Sequence, residues 1–289
     1  MNWIFLNGKF VTEPEAVVSV LDRGFLYGDG LFETMRVCQG RIFRWPAHWL
    51  RLQRGSDFLK IRLPMGAENL HQSALELVRR NHLADAFLRL TVSRGVGPRG
   101  YSPQGADQPT LTITTHPMPE SNDRDAPQWK LITSSVRVAA GEPLTQFKTC
   151  NKLAQIMARS EADVVGANEA LVCNTDGFVV EASSSNLFWL EEETVCTPPV
   201  ASGILPGVTR TVVLELCQAL NVPTREELVA PEQLHRSAGV FLSLSTTGIA
   251  PVIELDGHPL PVPALVGNLR EEYQALLLRE TTGNASSLV

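Results

Sequence analysis

The sequence predicts a two-domain protein of the α+β or α/β class. Strand-like and helix-like segments alternate from the start of the chain to about Thr115. Short strands interrupted by helices return from Trp129 onward, and the intervening residues 117–128 are rich in Pro, Asn, Asp and Ser, as loops are. At 289 residues the chain is long enough for two cores. We therefore predict a smaller N-terminal α/β domain over residues 1–116, a linker over 117–128 and a larger C-terminal domain over 129–289.

The N-terminal domain begins with a predicted β-hairpin. Two strand-like runs within Ile4–Val11 are joined by Asn7 and Gly8, a pair that tight hairpin turns prefer. A turn with glycines on both sides of Asp29 precedes a predicted strand, because glycine permits a tight backbone path. The remaining elements predicted for this domain are strands Leu31–Val37, Phe87–Val92 and Thr110–Thr114, and amphipathic helices His48–Leu59 and Ala67–Asn81.

The C-terminal domain contains a helix predicted over Lys152–Val165. Its apolar residues Leu153, Ile156, Met157 and Val164 recur at helical spacing, and Gly166 ends the pattern. The other elements predicted here are strands Glu169–Cys173 and Phe178–Val180, joined by the turn Asn174–Gly177, and helices Thr209–Leu220 and Asn268–Glu280. The last residues, 281–289, are small and polar, and we expect them to fray.

The composition is that of an ordinary globular protein. Hydrophobic residues make up 44% and charged residues 19%, and the formal net charge is −6. An acidic chain without a basic tract is a poor partner for nucleic acid or an anionic membrane. The first residues lack a charged leader followed by a long apolar run, and no run of about 18 apolar residues occurs. We expect a cytoplasmic protein with neither kind of partner.

The five cysteines predict neither a disulfide framework nor a metal site. Their number is odd, and no pair shows the Cys-x-x-Cys spacing of zinc and redox sites. We expect them to act as small buried hydrophobic residues, and we predict no metal ligands.

The candidate chemistry lies between Phe147 and Phe188. Lys148 stands just before the predicted helix that begins at Lys152, and Glu181 ends the second of the two strands that follow. Side chains at such element ends are often available to a ligand. Small hydrogen-bonding residues follow at 183–186, and the Gly/Pro turn 202–210 opens onto a helix whose first N–H groups could bind an anion.

These motifs together resemble the class IV (fold-type IV) pyridoxal-phosphate enzymes. This family includes the D-amino-acid, branched-chain and (R)-amine aminotransferases and aminodeoxychorismate lyase. The resemblance runs from about Leu6 to about Val252. It rests on Asp22 and Arg23, the turn Tyr27–Gly30, Lys148 and Asn151, the run Glu181–Phe188, the turn Gly207–Arg210 and Ser245–Thr247.

The resemblance implies a D-amino-acid-aminotransferase-like fold with pyridoxal 5'-phosphate between its two domains. It implies that Lys148 forms the resting imine and then moves the substrate's proton. It also implies that Glu181 faces the ring nitrogen and keeps it protonated. The implied phosphate ligands are Arg51, Val208, Thr209 and Thr246, and the other implied cofactor contacts are Ser185, Asn186 and Thr247.

The resemblance also predicts how substrate is bound. Arg99 lies in a glycine-rich loop similar to one that binds the substrate carboxylate in D-amino-acid aminotransferase and reaches the neighbouring subunit's site. Phe32 and Tyr101 could line the same pocket. The implied partners are a small-molecule amino donor, a keto acid and a second copy of the chain in a homodimer with shared active sites.

Three functions stay open at this point. The first is an aminotransferase that moves an amino group between a small amino acid or amine and a 2-keto acid; the segment 245–252 looks most like those enzymes. The second is 4-amino-4-deoxychorismate lyase, which yields 4-aminobenzoate and pyruvate; the segment 94–102 looks most like that enzyme. The third is a non-enzymatic cofactor- or metabolite-binding protein, which would not require both Lys148 and Glu181.

Overall fold

A computed structural model describes residues 2–118 and 127–282. The chain divides into two compact units. The first contains Met1–Glu120, Phe147–Asn151 and Leu277–Val289, and the second contains Ser121–Gln146 and Lys152–Leu276. The segment that carries Lys148 thus clusters with the first unit, although it falls within the C-terminal domain predicted over residues 129–289. Most of the predicted linker and of the predicted frayed end, residues 119–126 and 283–289, lies outside the described residues. The predicted domain boundaries therefore stay a prediction.

The first unit is built on an antiparallel sheet with helices packed against it. Its strands pair in the order β2-β1-β6-β5-β3-β4. The strands are β1 Trp3–Leu6, β2 Lys9–Thr12, β3 Gly30–Cys38, β4 Arg41–Ile42, β5 Ala86–Ser93 and β6 Thr110–Pro117. The helices are α1 Arg23–Tyr27, α2 Trp45–Leu59 and α3 Ala67–Arg80.

Local sequence explains these elements. Asn7 and Gly8 have φ angles of 48° and 87°, so the predicted β1–β2 hairpin turn is confirmed, with Leu6 paired to Lys9. The predicted stripe of α3 is also confirmed, because Leu70, Ala74, Leu77 and Val78 are all buried in the core of this unit. Burying one such leucine contributes roughly 1.5–3 kcal/mol.

The second unit is built on a larger mixed sheet. Its strands pair in the order β12-β11-β10-β13-β14-β7-β8-β9, and β15 pairs with β14. The strands are β7 Trp129–Val138, β8 Glu169–Asn174, β9 Val179–Ala182, β10 Asn186–Glu191, β11 Thr194–Thr197, β12 Thr224–Glu226, β13 Gly239–Leu244, β14 Gly248–Leu255 and β15 His258–Pro259. The helices are α4 Leu153–Val164, α5 Val208–Ala219, α6 Pro231–Leu234 and α7 Ala264–Thr282, the last of which ends in the first unit.

The apolar face of α4 is exposed. The periodicity correctly predicts this helix, but Leu153, Ile156 and Met157 are 70%, 61% and 54% exposed. The helix instead buries Ala158 and Ala162 in a cluster with residues of β8 and β9. Small side chains allow the helix backbone to approach the sheet closely, so the core side of α4 is its alanine side.

Among the described helices, none is long and apolar enough to cross a membrane.

Candidate active site

Lys148 is held by backbone pairing with β3. The N–H of Phe32 donates to the carbonyl of Lys148 at 2.9 Å, and the N–H of Cys150 donates to the carbonyl of Gly30 at 2.8 Å. Phe147 stacks on Phe58 of α2, with the ring centroids 4.5 Å apart. The Lys148 side chain is half-buried, and its Nζ lies 4.8 Å from the centroid of the Phe32 ring. The amine is therefore held beside the Phe32 ring by a segment whose backbone is hydrogen-bonded to β3.

The Tyr27–Gly30 turn fits closely around Asn151. Gly28 has a φ of +67°, which favours glycine, and its carbonyl accepts a hydrogen bond from Asn151 Nδ2 at 3.2 Å. A Cβ on Gly28 would lie 2.5 Å from Asn151 Oδ1. Two motifs that are far apart in sequence thus meet beside Lys148, and only glycine allows that approach.

Glu33 of β3 forms a buried ionic group with His48 and Arg51 of α2. Glu33 of β3 accepts hydrogen bonds from Arg51 Nε at 2.8 Å and Arg51 Nη2 at 2.6 Å, a bidentate pair. Its carboxylate also lies 2.7 Å from Nδ1 of His48. His48 and Arg51 are three residues apart on α2 and therefore share one helix face. All three side chains are buried.

The charges in this group are set by their neighbours. Burial alone would raise the pKa of Glu33, but the charge and hydrogen bonds of Arg51, with those of His48, outweigh burial and hold that pKa at about 2. Burial lowers the pKa of His48; Glu33 opposes this effect, while Arg51 and Lys148 add to it. Because an ionised carboxylate only accepts hydrogen bonds, Nδ1 of His48 carries the proton. The group is a carboxylate, a neutral imidazole and an oriented guanidinium.

Glu181 of β9 is held in the second unit. Its Oε2 accepts a hydrogen bond from the backbone N–H of Leu205 at 3.0 Å and lies 3.4 Å from Nδ2 of Asn186. The same Nδ2 donates to the carbonyl of Leu205 at 2.9 Å. A Cβ on Gly207 would lie 1.9 Å from Asn186 Oδ1. The predicted motifs at 181–186 and 207–210 therefore pack directly against each other.

The α5 helix begins beside this carboxylate. Gly207 is its N-cap and supplies no side-chain cap, and Val208 and Thr209 form its first turn. Backbone N–H groups at a helix start attract anions. Ser243 of β13 lies opposite Asn186 in register, and its buried hydroxyl has no hydrogen-bond partner in the described part of the chain. Thr246 lies in the turn between β13 and β14 and is half-buried.

The chemistry of these groups fits pyridoxal phosphate. Such a cofactor needs an amine for its aldehyde, an anion for its ring nitrogen and cationic or N–H donors for its phosphate. Lys148 and Arg51 of the first unit supply an amine and a guanidinium. Glu181 and the uncapped start of α5 in the second unit supply a carboxylate and backbone donors.

Comparison with known proteins identifies the family. The sequence model described as amino-transferase class IV matches residues 30–255, most of the chain. The chain belongs to the class IV aminotransferases. This membership confirms the resemblance stated above and favours an enzyme over a non-enzymatic binding protein.

Individual relatives of this class IV aminotransferase differ in the substrates for which they are named. A Methanocaldococcus jannaschii protein with the provisional name branched-chain-amino-acid aminotransferase is 36% identical, over 94% of this chain and 95% of its own length. The D-alanine aminotransferase of Staphylococcus aureus is 31% identical, over 90% of this chain and 91% of its own. The crystal structure of the Thermoproteus uzoniensis branched-chain aminotransferase with norvaline is 29% identical, with a TM-score of 0.90 over 96% of this chain and 95% of that chain. The predicted fold class is confirmed.

The loop with Arg99 and Tyr101 is anchored within the first unit. Arg23 of α1 donates to the carbonyls of Gly100 at 2.9 Å and Ser102 at 3.2 Å through Nη1, and to that of Tyr101 at 3.1 Å through Nη2. The side chains of Arg99 and Tyr101 are exposed.

A shared aspartate fixes Arg23 in turn. Asp29 accepts from Nε of Arg23 and from Nε of Arg94, both at 2.8 Å, and the two hydrogen-bonded arginines lower its pKa in spite of burial. The ring of Tyr27 lies 5.6 Å from that of Tyr101 and 5.0 Å from the Arg23 guanidinium. The Asp22–Gly30 motif of this class IV aminotransferase thus shapes the loop that was predicted to bind substrate.

The serines at 183–185 surround a buried carboxylate. Glu169 of β8 is fully buried and accepts hydrogen bonds from Ser184 N and Oγ, both at 3.0 Å, and from Ser185 Oγ at 3.3 Å. Ser183 also hydrogen-bonds to it. This arrangement closes the turn between β9 and β10 and places Asn186 beside Glu181. A direct cofactor contact by Ser185 stays a prediction.

The cysteines are unpaired, as expected, and four of the five are buried, with Cys150 half-buried. In the described residues, one set of groups comes close enough for a metal: Glu191, Cys196 and Glu227. Arg225 lies among them, 2.9 Å from Glu191 and 3.7 Å from the Cys196 sulfur. Burial, and then the neighbouring Glu227, raises the pKa of the Cys196 thiol to about 11. A neutral thiol beside a guanidinium is a poor cation ligand.

The sequence patterns assign no role in this site to four of its residues: Arg23, Glu33, His48 and Glu169. A charged residue inside an otherwise apolar strand, as at Glu33 and Glu169, is the signal that could have found two of them. The His48 and Arg51 spacing on α2 is a weaker signal, because helical spacing alone does not reveal what the helix faces.

Proposed function

We propose that this class IV aminotransferase moves an amino group between a small amino acid or amine and a 2-keto acid, using pyridoxal 5'-phosphate bound through Lys148. The observation that carries the proposal is the placement of Lys148. Its backbone is locked to β3, its half-buried amine lies against Phe32, and its charge helps to lower the pKa of the buried His48. An ordinary surface lysine has none of these constraints.

The cofactor, when bound, supplies the electron sink that makes the substrate's α-proton acidic. Lys148 would move that proton, because its amine is a base held against Phe32 in the same site. The Phe32 ring shields one side of the amine from water and limits the directions in which it can swing. The position of the Lys148 amine against Phe32 therefore determines the direction in which the proton can be moved.

Glu181 keeps the ring nitrogen of the cofactor protonated, since a nearby anion favours the charged form. The contacts with Leu205 N–H and Asn186 hold the carboxylate in one orientation. Arg51, Val208, Thr209 and Thr246 bind the phosphate. Glu33 supports that role by fixing the plane of the Arg51 guanidinium. Asn186 and Thr247 complete the cofactor contacts, and Ser185 holds the turn that positions them.

The proposal includes a homodimer in which the Arg99 loop serves the partner's site. Exposed apolar side chains support it, because soluble monomers rarely leave such patches uncovered. In the first unit they include Val17, Val20, Leu21 and Phe25, at 58–77% exposed, and in the second they form the face of α4. The rigid anchoring of the loop by Arg23 suits a residue that must reach another subunit. A cytoplasmic location stays a prediction from the sequence.

Reduction with borohydride tests the proposed cofactor lysine. The purified protein should be yellow, and borohydride should fix the cofactor to the peptide that contains Lys148. Lys148→Ala should abolish the label. Lys152→Ala, four residues along the chain, is the matched control and should keep it. Mass spectrometry that finds the label on Lys152 or Lys130 would contradict the proposal.

The lyase remains a second candidate, since the segment 94–102 resembles that enzyme and leaves Tyr101 exposed. A transaminase stops after one half-reaction when no keto acid is present, so an amino donor alone should bleach the yellow band once. Pyruvate or 2-oxoglutarate should restore the colour. Steady release of pyruvate and 4-aminobenzoate from aminodeoxychorismate, with no donor able to bleach the band, would favour the lyase instead.

A further inference from the structure

Asp29 joins two buried arginines through a single carboxylate oxygen. Its Oδ2 accepts a hydrogen bond from Nε of Arg23 and another from Nε of Arg94, both at 2.8 Å. Both arginines are buried, so water does little to screen their charges from each other. Two guanidinium groups held this close repel each other unless an anion lies between them, and Asp29 supplies that anion.

Arg94 attaches Asp29 to the end of α2. Nη1 of Arg94 donates to the carbonyl of Lys60 at 3.0 Å, and Nη2 donates to that of Leu59 at 2.8 Å. Carbonyls at the end of a helix lack partners within the helix, so a cation there is favourable. The helix is itself fixed, because its Leu52 lies in the core of the first unit. The end of α2 is therefore a firm support for Asp29.

Arg23 extends this support to the loop that contains Arg99. The two Nη atoms of Arg23 donate to the carbonyls of Gly100, Tyr101 and Ser102 at 2.9–3.2 Å. These three residues directly follow Arg99, so one guanidinium holds the backbone next to that exposed side chain. A continuous set of hydrogen bonds thus runs from the end of α2 to the loop, and the shared aspartate is its midpoint.

The negative charge of Asp29 is essential to this arrangement. Burial would raise the pKa of Asp29, but the hydrogen bonds and charges of Arg94 and Arg23 outweigh burial and lower that pKa. The carboxylate is therefore ionised at neutral pH. An asparagine at position 29 would keep the size of the side chain but leave two buried cations without their anion, which favours their movement towards water. The loop would then lose its fixed contact with α2.

We propose that Asp29 is a positioning residue for substrate: by holding Arg23 beside Arg94, it fixes the Arg99 loop on the end of α2 and so sets the affinity for the substrate carboxylate. The inference rests on the proposed function, because Arg99 must be the residue that contacts this carboxylate. Asp29 acts only through the loop. A loop that is already in place binds a ligand more tightly than one that must be ordered on binding.

Limited digestion with trypsin tests the anchoring directly. Trypsin cleaves after arginine, and a bond inside a folded loop is cleaved only when the loop opens locally. In the holoenzyme, Asp29→Asn should speed cleavage between Arg99 and Gly100 roughly tenfold or more. Mass spectrometry of the new chain ends at these two residues follows this bond alone. An unchanged cleavage rate would overturn the inference.

The matched control is Asp85→Asn. Asp85 is also paired with an arginine of the first unit, Arg36 at 3.1 Å, but its side chain is 49% exposed. We expect this control to change neither the cleavage rate at Arg99 nor the kinetics. Arg23→Lys keeps a cation beside Asp29 but cannot reach three carbonyls at once, so it should also speed cleavage. This second variant decides the matter if Asp29→Asn does not fold, and no increase with it would contradict the inference.

Kinetics test whether the anchored loop sets substrate affinity. The substrate is the 2-oxo acid that restores the colour of the bleached enzyme. Asp29→Asn should raise its KM at least about threefold and change kcat by less than about twofold, because only the ordering of the loop is lost. Asp29→Glu, which keeps the charge, should fall between Asp29→Asn and the wild type. A purely structural role would reduce the active fraction, which lowers kcat and leaves KM unchanged, and that pattern would refute the inference.

The combined outcomes separate this inference from the proposed function. If borohydride labels Lys148 and Asp29→Asn leaves KM unchanged, only the inference fails. If the label is elsewhere, the proposed function is refuted, whatever the KM values are. Trypsin digestion depends on neither label nor turnover, so it decides in either case whether Asp29 anchors the loop.

Discussion

Replacing Glu33 with Gln should destabilise the first unit and weaken the proposed binding of the cofactor phosphate by Arg51. The substitution keeps the shape of the side chain but removes the charge that faces Arg51 at 2.6 and 2.8 Å and His48 at 2.7 Å. Arg51 would remain buried, 9% exposed, without its counter-charge. Removing one partner of a buried ion pair costs roughly 3–5 kcal/mol, because the remaining charge is stranded.

The pKa of Glu33 gives a second route to the magnitude. Folding lowers this pKa from 4.5 to about 2, and one pKa unit equals about 1.36 kcal/mol, so the ionised form contributes about 3 kcal/mol. Since the folded-state pKa lies below the unfolded one, this stabilisation is fully present above pH 4.5 and is lost as the pH falls towards 2. The free energy obtained from the Glu33 pKa thus agrees in order of magnitude with the cost of breaking a buried ion pair.

Urea unfolding of cofactor-free protein measures the effect, because bound ligand would add its own stabilisation. Tryptophan fluorescence includes Trp45 and Trp49 of α2, the helix that carries His48 and Arg51. Glu33→Gln should unfold at lower urea at pH 7 and show a smaller loss of stability between pH 4.5 and pH 2 than the wild type. Its affinity for pyridoxal phosphate should also fall, since Arg51 loses its orientation.

Glu76→Gln is the matched control. Glu76 of α3 pairs with Arg79 at 2.8 Å and Arg80 at 2.7 Å, and these hydrogen bonds hold its pKa at about 2 as well. That group is on the surface, where water and salt screen the pair. We expect little change in urea unfolding, and less still in high salt. If the two variants lost equal stability, or if Glu33→Gln matched the wild type, the reasoning from burial would be wrong.

Three further experiments test the rest of the site. Glu181→Gln should retain cofactor but turn over at least about tenfold more slowly in steady-state assays, because the ring nitrogen loses its anion; unchanged turnover would place Glu181 outside the site. Mixing inactive Lys148→Ala with inactive Arg99→Ala should restore some activity, since one site of the hybrid dimer keeps both native residues. Subunits that exchange, as shown by mass spectrometry, yet stay inactive would rule out a shared site. Gly207→Ala should weaken cofactor binding in a fluorescence titration, because the added Cβ would lie 1.9 Å from a facing amide oxygen, whereas Gly267→Ala, with nothing within 4 Å, should not.

The sequence by itself determined much of the local structure and the family. The Asn7-Gly8 hairpin and the α3 stripe follow from turn chemistry and from 3.6-residue periodicity, which are properties of neighbouring residues. The family was likewise readable, because Lys148, Glu181 and the turn at Gly207 occur in a fixed order along the chain. Patterns of this kind need no knowledge of which distant segments meet.

Only the tertiary structure decided which side of α4 is buried and which charges are paired. Periodicity shows that a helix has an apolar face, but the packed face was the one whose alanines allowed close approach. Arg23 reaches a carbonyl 78 residues away at Tyr101. Arg89 meets Phe32 only because β3 and β5 pair in one register. Burial and charge pairing arise from segments remote in sequence. Those two quantities set the pKa values of Glu33 and His48.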